Sequence, residues 1–248
     1  MSTMSLIIAS CLVAIPIFIS YKEHLNLEKE ILVSILRAII QLVIVGYILD
    51  IIFGLEKPMF TILLILIMII NAAVNTKKRG AGINHVVLIS FISMVLGTIV
   101  TITVLVASKA IAFRPNEVIP IAGMVVSNSM VAIGLSYRNL INSFNLKRVE
   151  VEVKLSLGAD IKEASRDILR ESIKMALSPT IDSAKTLGIV SLPGMMTGLI
   201  LAGTAPLIAI KFQIMVTFMI LSSSSIATMI ATYMSYKDFF NDRKQLKI

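Results

Sequence analysis

"VVLISFISMVLGTIVTITVLVA", residues 86–107, runs for 22 residues without a charge, and its reading decides the fold. A helix needs roughly 17–25 mostly apolar residues to cross the hydrocarbon layer, and this run meets that length. Six more segments of the same kind lie on either side of it, at about 4–21, 31–53, 58–75, 117–137, 189–210 and 212–236. The whole chain agrees with them: 248 residues, 56% hydrophobic, 15% charged, no Trp, and a mean hydropathy of +0.90. Soluble globular domains are less apolar than this. The expected fold class is therefore an all-α membrane protein. It is a polytopic bundle of about seven transmembrane helices, or six if the first segment does not span, in a single domain over 1–248. The first segment lacks a basic leading region, and "AIPIFISYKEH" offers no small-x-small cleavage site, so it reads as a retained helix and not a signal peptide.

Charge sets the orientation. The 23 Lys and Arg exceed the 15 Asp and Glu by eight, an excess that in a membrane chain records retention of basic residues on the cytoplasmic side and gives no reason to invoke nucleic acid. Eighteen of the 23 fall in connections on one side, four on the other (Lys57, Lys109, Arg114 and Lys211), and Arg37 lies inside a helix. The asymmetry puts the N-terminus outside and the C-terminus in the cytoplasm. Cys11 stands alone in an apolar run, so no intrachain disulfide can form.

The long polar interval, about 138–188, falls on the cytoplasmic side and carries nine basic and seven acidic residues. Within it, Ile161, Ala164, Ile168, Met175 and Ala176, with Ile173 and Leu177 alongside, recur near a helical period among charged neighbours. An amphipathic helix is expected over 160–177, broken by Pro179. Ser178 would then cap a second short helix running to Lys185. Gly158 suits a left-handed turn ahead of it. Such a helix either floats at the lipid headgroups or docks a cytoplasmic partner. Importer permeases that use a separate ATPase carry E-A-A-x3-G-x9-I-x-L-P in this place. Glu152, Gly158 and Ile168 match it, while Val153, Lys154, Arg170 and Glu171 do not.

Several polar residues lie where lipid does not explain them. Arg37 sits about two turns into the second segment, where a guanidinium costs on the order of 2.5–3.5 kcal/mol unless it snorkels or is paired. Gln41 shares its face at i+4. Asn71 and Asn75 form another such pair, and Ser127–Ser129 flank a central Asn128. Groups like these either join helices by hydrogen bonds or line a polar path. In "LPGMMTG", Pro193 and Gly194 interrupt a segment and can open backbone to a cavity, while Gly198 repeats Gly194 at the spacing of tight helix packing. Met195 and Met196 offer thioethers to a soft metal or simply pack. "SSSS", 222–225, reads as helix packing. His24 and His85 lie in loops, with no carboxylate and imidazole cluster within a helix, so metal ligands remain unknown from residues alone. No catalytic pair and no G-x4-G-K-[ST] loop is present, so the chain is read as neither an intramembrane enzyme nor a phosphate-loop ATPase.

"LGIVSLPGMMTGLILAGTAPLIAI" (187–210), with "RAIIQLVIVGYIL" (37–49), "GMVVSNSM" (123–130) and "LSLGA" (155–159), resembles the FetB (YbbM-like) family of ABC permeases over roughly residues 30–240. Members are bacterial membrane subunits associated with iron export, with plant relatives in aluminium tolerance. Leu199 stands where the family commonly carries Gln. The resemblance implies a multi-pass permease of the bacterial inner membrane, paired with a second copy and driven by a separate cytoplasmic ATPase that holds ATP and Mg. Glu152, Gly158, Ala159, Glu163 and Ile168 would then form the coupling element. Arg37, Gln41, Asn128, Pro193, Gly194, Met195, Met196 and Gly198 would gate or line the pathway. The alternatives are an ion-coupled secondary transporter and a non-transporting membrane scaffold.

Overall fold

The computed structural model describes residues 3–55 and 58–247, in two compact units, Met1–Glu56 and Lys57–Ile248. Lys57, counted above with the outer charges, lies outside the described residues. In the first unit, α1 (Thr3–Ser10) passes through a 3₁₀ turn, Cys11–Val13, into α2 (Ala14–Lys22). Pro16 withholds the N–H that an uninterrupted α-helix would donate near that turn. The bend to α3 (Glu28–Leu55) is closed by Ser20, whose Oγ donates to Glu28 Oε1 at 2.6 Å and accepts from Leu27 N at 3.0 Å.

The second unit is built on α4 (Pro58–Thr76), α5 (Val86–Ala107), α6 (Pro115–Leu146) and α10 (Pro206–Ser235). With α3 these are the helices, among the described residues, long and apolar enough to cross a membrane. Small residues let them approach. A Cβ added at Gly97 would stand 3.1 Å from the Ser223 carbonyl oxygen and 3.4 Å from Ala227 Cβ, so α5 and α10 meet backbone to backbone. The serine run thus does pack helices, with Ser223 and Ser224 both buried. Hydroxyls tie the ends nearest Arg138: Thr76 Oγ1 and Ser90 Oγ are 2.8 Å apart, Ser90 Oγ and Tyr137 Oη 3.0 Å, and Ser136 Oγ and Thr232 Oγ1 2.7 Å. Tyr137→Phe removes the last link of the first chain, and its expected cost is about 1 kcal/mol, read as a lower melting temperature in detergent. An unchanged melt would remove that link from the stabilising contacts.

Three elements depart from expectation. The first segment is two short helices, with Ile8–Lys22 the longer apolar stretch. The segment at 189–210 is not one crossing helix: α9 is only Gly194–Leu201, entered from Pro193 and followed by Gly203 at φ +92° and Pro206. Each of these residues interrupts a helical hydrogen-bond ladder or turns the chain. Nor is the helix of the polar interval broken at Pro179. After α7 (Arg148–Ser156), α8 is one helix, Ile161–Thr186, with Pro179 inside it. Proline removes only one N–H from the ladder, and packing against α6 and α10 compensates. The face of α8 that packs is Ala164, Ser165, Ile168, Leu169, Ser172 and Ala176, whereas Met175, expected there, is exposed.

Candidate functional site

The α7–α8 connection contains the first candidate. Gly158 turns the chain at φ +91°, a left-handed conformation that favours glycine. Gly158 N donates to Leu155 O, and Ala159 N to Lys154 O, which closes α7 in the manner of a glycine C-cap. Opposite this turn lies the C-terminal segment. Phe144, at the end of α6, stacks on Phe239 at 4.4 Å and meets Phe240 edge-on at 5.8 Å. Asn241 Oδ1 then accepts from Arg243 N and Gln245 N to fold the tail back. Lys244 Nζ reaches Asp160 Oδ1 at 3.0 Å. Between turn and tail is a cleft of about 830 Å³, with Arg148, Glu152, Gly158 and Asp160 on one wall and Arg243 and Gln245 on the other.

Its electrostatics are a set of local pairs. Arg148 Nε holds Glu152 at 2.8 Å, and Lys154 Nζ bridges Glu150 at 2.8 Å and Asp167 at 3.0 Å. The Lys244 hydrogen bond holds the Asp160 carboxyl below its ordinary value, as Lys154 does for Asp167. A lowered carboxyl stabilises the folded arrangement above the ordinary carboxylate range and loses that effect as pH falls through the lowered value. The Lys244–Asp160 clasp is therefore formed at neutral pH.

The second candidate is a cavity of about 420 Å³ among α6, α8, α10 and the 187–193 connection. Asn128, Thr180, Ser183, Ser191, Gln213 and Thr217 supply its polar atoms. Asn128 Nδ2 donates to Met124 O at 2.8 Å, and Gln213 Oε1 is buried without a hydrogen-bond partner. Neutral oxygen atoms in such a space suit a hydrated or oxygen-ligated solute better than a bare soft ion.

Glu152, Gly158 and Ala159 come together at the cleft, while Glu163 stands exposed in the first turn of α8, outside it. Ile168 is 2% exposed, so it supports the element from inside and presents no surface to a partner. Asn128 and Pro193 meet at the cavity. Met195 and Met196 are half-buried on α9, with Met195 packed against the core. A Cβ at Gly194 or Gly198 would touch nothing within 4 Å, so neither serves close packing inside this chain. Arg37 and Gln41 are exposed on α3 of the first unit. Asn75 Nδ2 donates to Asn71 Oδ1 at 2.9 Å. Among the described residues no three His, Cys, Asp or Glu side chains gather as metal ligands. Sequence reasoning missed Gln213 and the tail residues. Gln213 is legible as a lone amide in the apolar run "AIKFQIMVTF", whereas nothing in "NDRKQL" signals that it folds back onto Asp160.

Residues 3–240 match the uncharacterised protein family UPF0014. The chain is 51% identical to the "Probable iron export permease protein FetB" of Escherichia coli (strain K12), over 98% of this chain and 94% of that protein. It is 37% identical to the "UPF0014 membrane protein STAR2" of Oryza sativa subsp. japonica, over 96% and 84%. Identity to "Protein ALUMINUM SENSITIVE 3" of Arabidopsis thaliana is 34%, over 96% and 88%. No solved structure matches the chain.

Proposed function

The chain belongs to the UPF0014 family of multi-pass membrane proteins, and from that membership we propose that it is the permease subunit of an ABC transporter. In this reading two copies assemble with a separate cytoplasmic ATPase, which holds ATP and Mg, and export iron or another metal ion across the bacterial inner membrane. The relative named as a probable iron export permease supports the cargo. The excess of Lys and Arg on one side, 17 against 4 even with Lys185 left out, supports an outer N-terminus and a cytoplasmic C-terminus.

One observation carries the coupling role: α8 runs unbroken from the cleft at Gly158 and Asp160 to the cavity at Thr180 and Ser183. Its 26 residues span about 39 Å. A partner seated in the cleft pushes on Gly158, Glu152 and Asp160. The helix, packed on α6 and α10, transmits that displacement as a body to the Pro193–Gly194 break, where backbone is free to re-aim. Asn128, Gln213 and Thr217 then present oxygen atoms to a solute during its passage. Weak, exchangeable contacts of this kind suit export, in which the cargo has to leave.

A tagged chain purified in detergent from its native host is expected to bring a soluble phosphate-loop ATPase with it. Substitution of Glu152, Gly158 and Glu163 together is expected to abolish that recovery while leaving membrane insertion intact. Failure to recover an ATPase even after crosslinking would overturn the ABC reading and favour ion-coupled flux.

A further inference from the structure

The depth of α8 follows from its register on α6. Asn139 Nδ2 donates to Ser172 Oγ at 3.2 Å, and Asn128 lines one cavity with Ser183 and Ala184. Eleven residues separate 128 from 139 and eleven separate 172 from 183, so the two helices run antiparallel and stay level. On α6, residues 118–137 are twenty uncharged positions between Glu117 and Arg138, the length of one hydrocarbon crossing. Asn128 is the eleventh of them. The far end of the C-terminal half of α8, around Ser183, therefore lies about 15 Å from either end of that span, near the middle of the bilayer, while Ser172 is level with Asn139 just outside it.

The cavity uses one face of this half: Ala176, Pro179, Thr180, Ser183 and Ala184. The opposite face carries charge. Asp182 Oδ1 accepts from Lys185 Nζ at 2.9 Å, and Asp182 Oδ2 accepts from Ser178 Oγ at 3.0 Å. The two charged side chains are nonetheless 60% and 68% exposed. At mid-bilayer such a face cannot rest against lipid, because each charged group there costs several kcal/mol, and no soluble protein reaches that depth. Its occupant is another membrane surface carrying matching charge.

We propose that a second copy of this chain covers this face, with two α8 helices meeting about a two-fold axis so that Asp182 of each copy opposes Lys185 of the other. A two-fold contact must be self-complementary, residue i meeting j and j meeting i. A face with an acid and a base three residues apart, about 4.5 Å along the helix, meets that requirement within the reach of the Lys185 side chain. The pairing brings the two coupling helices into direct contact, so displacement of one cleft is felt by both copies. The inference rests on the paired arrangement proposed above and names the face that makes it.

Two differently tagged copies, each Cys11→Ser and Ser178→Cys, are co-expressed and oxidised in membranes with a lipid-soluble oxidant. A disulfide-linked dimer is expected. Asp182→Lys alone or Lys185→Asp alone places like charges across the axis and is expected to lower its yield at least about tenfold. Co-expression of one variant with the other restores opposite charges and is expected to recover the mixed dimer, which also shows that both variants fold. Equal yields in all combinations would overturn the charge exchange. Co-purification of the two tags without any Ser178→Cys crosslink would overturn the α8 face while the paired permease stands. Absence of co-purification would remove the second copy altogether. ATPase recovery plays no part in this readout, so it fails independently of the coupling assignment.

Discussion

Phe144→Ala is expected to destabilise the second unit by about 3–5 kcal/mol, the cost of deleting a fully buried aromatic ring. Phe144 is 0% exposed, and its ring is the common partner of Phe239 and Phe240. Its loss therefore takes away both the stacked and the edge-on contact, each worth roughly 0.5–1.5 kcal/mol beyond area burial. The effect is directional as well as large. Phe239 and Phe240 are the last buried residues before the tail folds back, and the clasp from Lys244 to Asp160 is an exposed pair that adds little by itself. Without the aromatic anchor the tail leaves the cleft, and Arg243 and Lys244 become open to trypsin. A lowered melting temperature together with early tryptic cleavage at the C-terminus is the expected result. Phe144→Leu, which keeps most of the volume, is expected to show a smaller fall. A variant that melts as the wild type does and keeps its tail protected would show that the ring stack is not what holds that wall of the cleft.

The parts of the fold that could be read from sequence are those in which lipid imposes length. Residues 86–107 and 58–75 become α5 and α4 almost to the residue, because an uncharged run of that length has no other stable place. Reading fails where protein, not lipid, is the neighbour. The fifth segment was expected to end at 137, but α6 continues to Leu146 because Tyr137, Leu140 and Phe144 carry a buried stripe beyond the hydrocarbon. In α8 the helical period was right for Ala164, Ile168 and Ala176. It was silent on Ser165 and Ser172, which count as polar by type yet bury completely, Ser165 Oγ donating to Ile161 O and Ser172 Oγ accepting from Asn139. Those serines are what bring α8 against α6. Pro179 hid the same fact, since a proline reads locally as a break and only tertiary packing shows the helix passing through it. The turn at Gly158 was legible because its demand is conformational and local, whereas the far wall of its cleft depends on contacts 84 residues away in the chain.

That conformational demand makes Gly158→Trp the variant expected to affect transport most for its effect on folding. At φ +91° any L side chain is strained, by roughly 1–2 kcal/mol, which corresponds to about a tenfold loss of the turn geometry seen here. A Cβ at this position would meet nothing within 4 Å, so there is no clash inside the chain, and α7, α8 and the membrane helices are expected to form. The indole would project into the cleft, the place proposed above for the ATPase partner. Gly158→Ala separates the two causes, since it carries the same backbone strain without the bulk. In proteoliposomes containing the ATPase, Gly158→Ala is expected to lower metal export by about tenfold at most, and Gly158→Trp to abolish it together with stimulation of ATP hydrolysis. Melting temperature and membrane insertion are expected to change little in either. Normal export by Gly158→Trp would mean that no partner seats against this turn, and α8 would then need another source of motion. Equal losses from alanine and tryptophan would place the whole effect in the backbone, making Gly158 a hinge that sets the aim of α8 and not a surface that the ATPase touches.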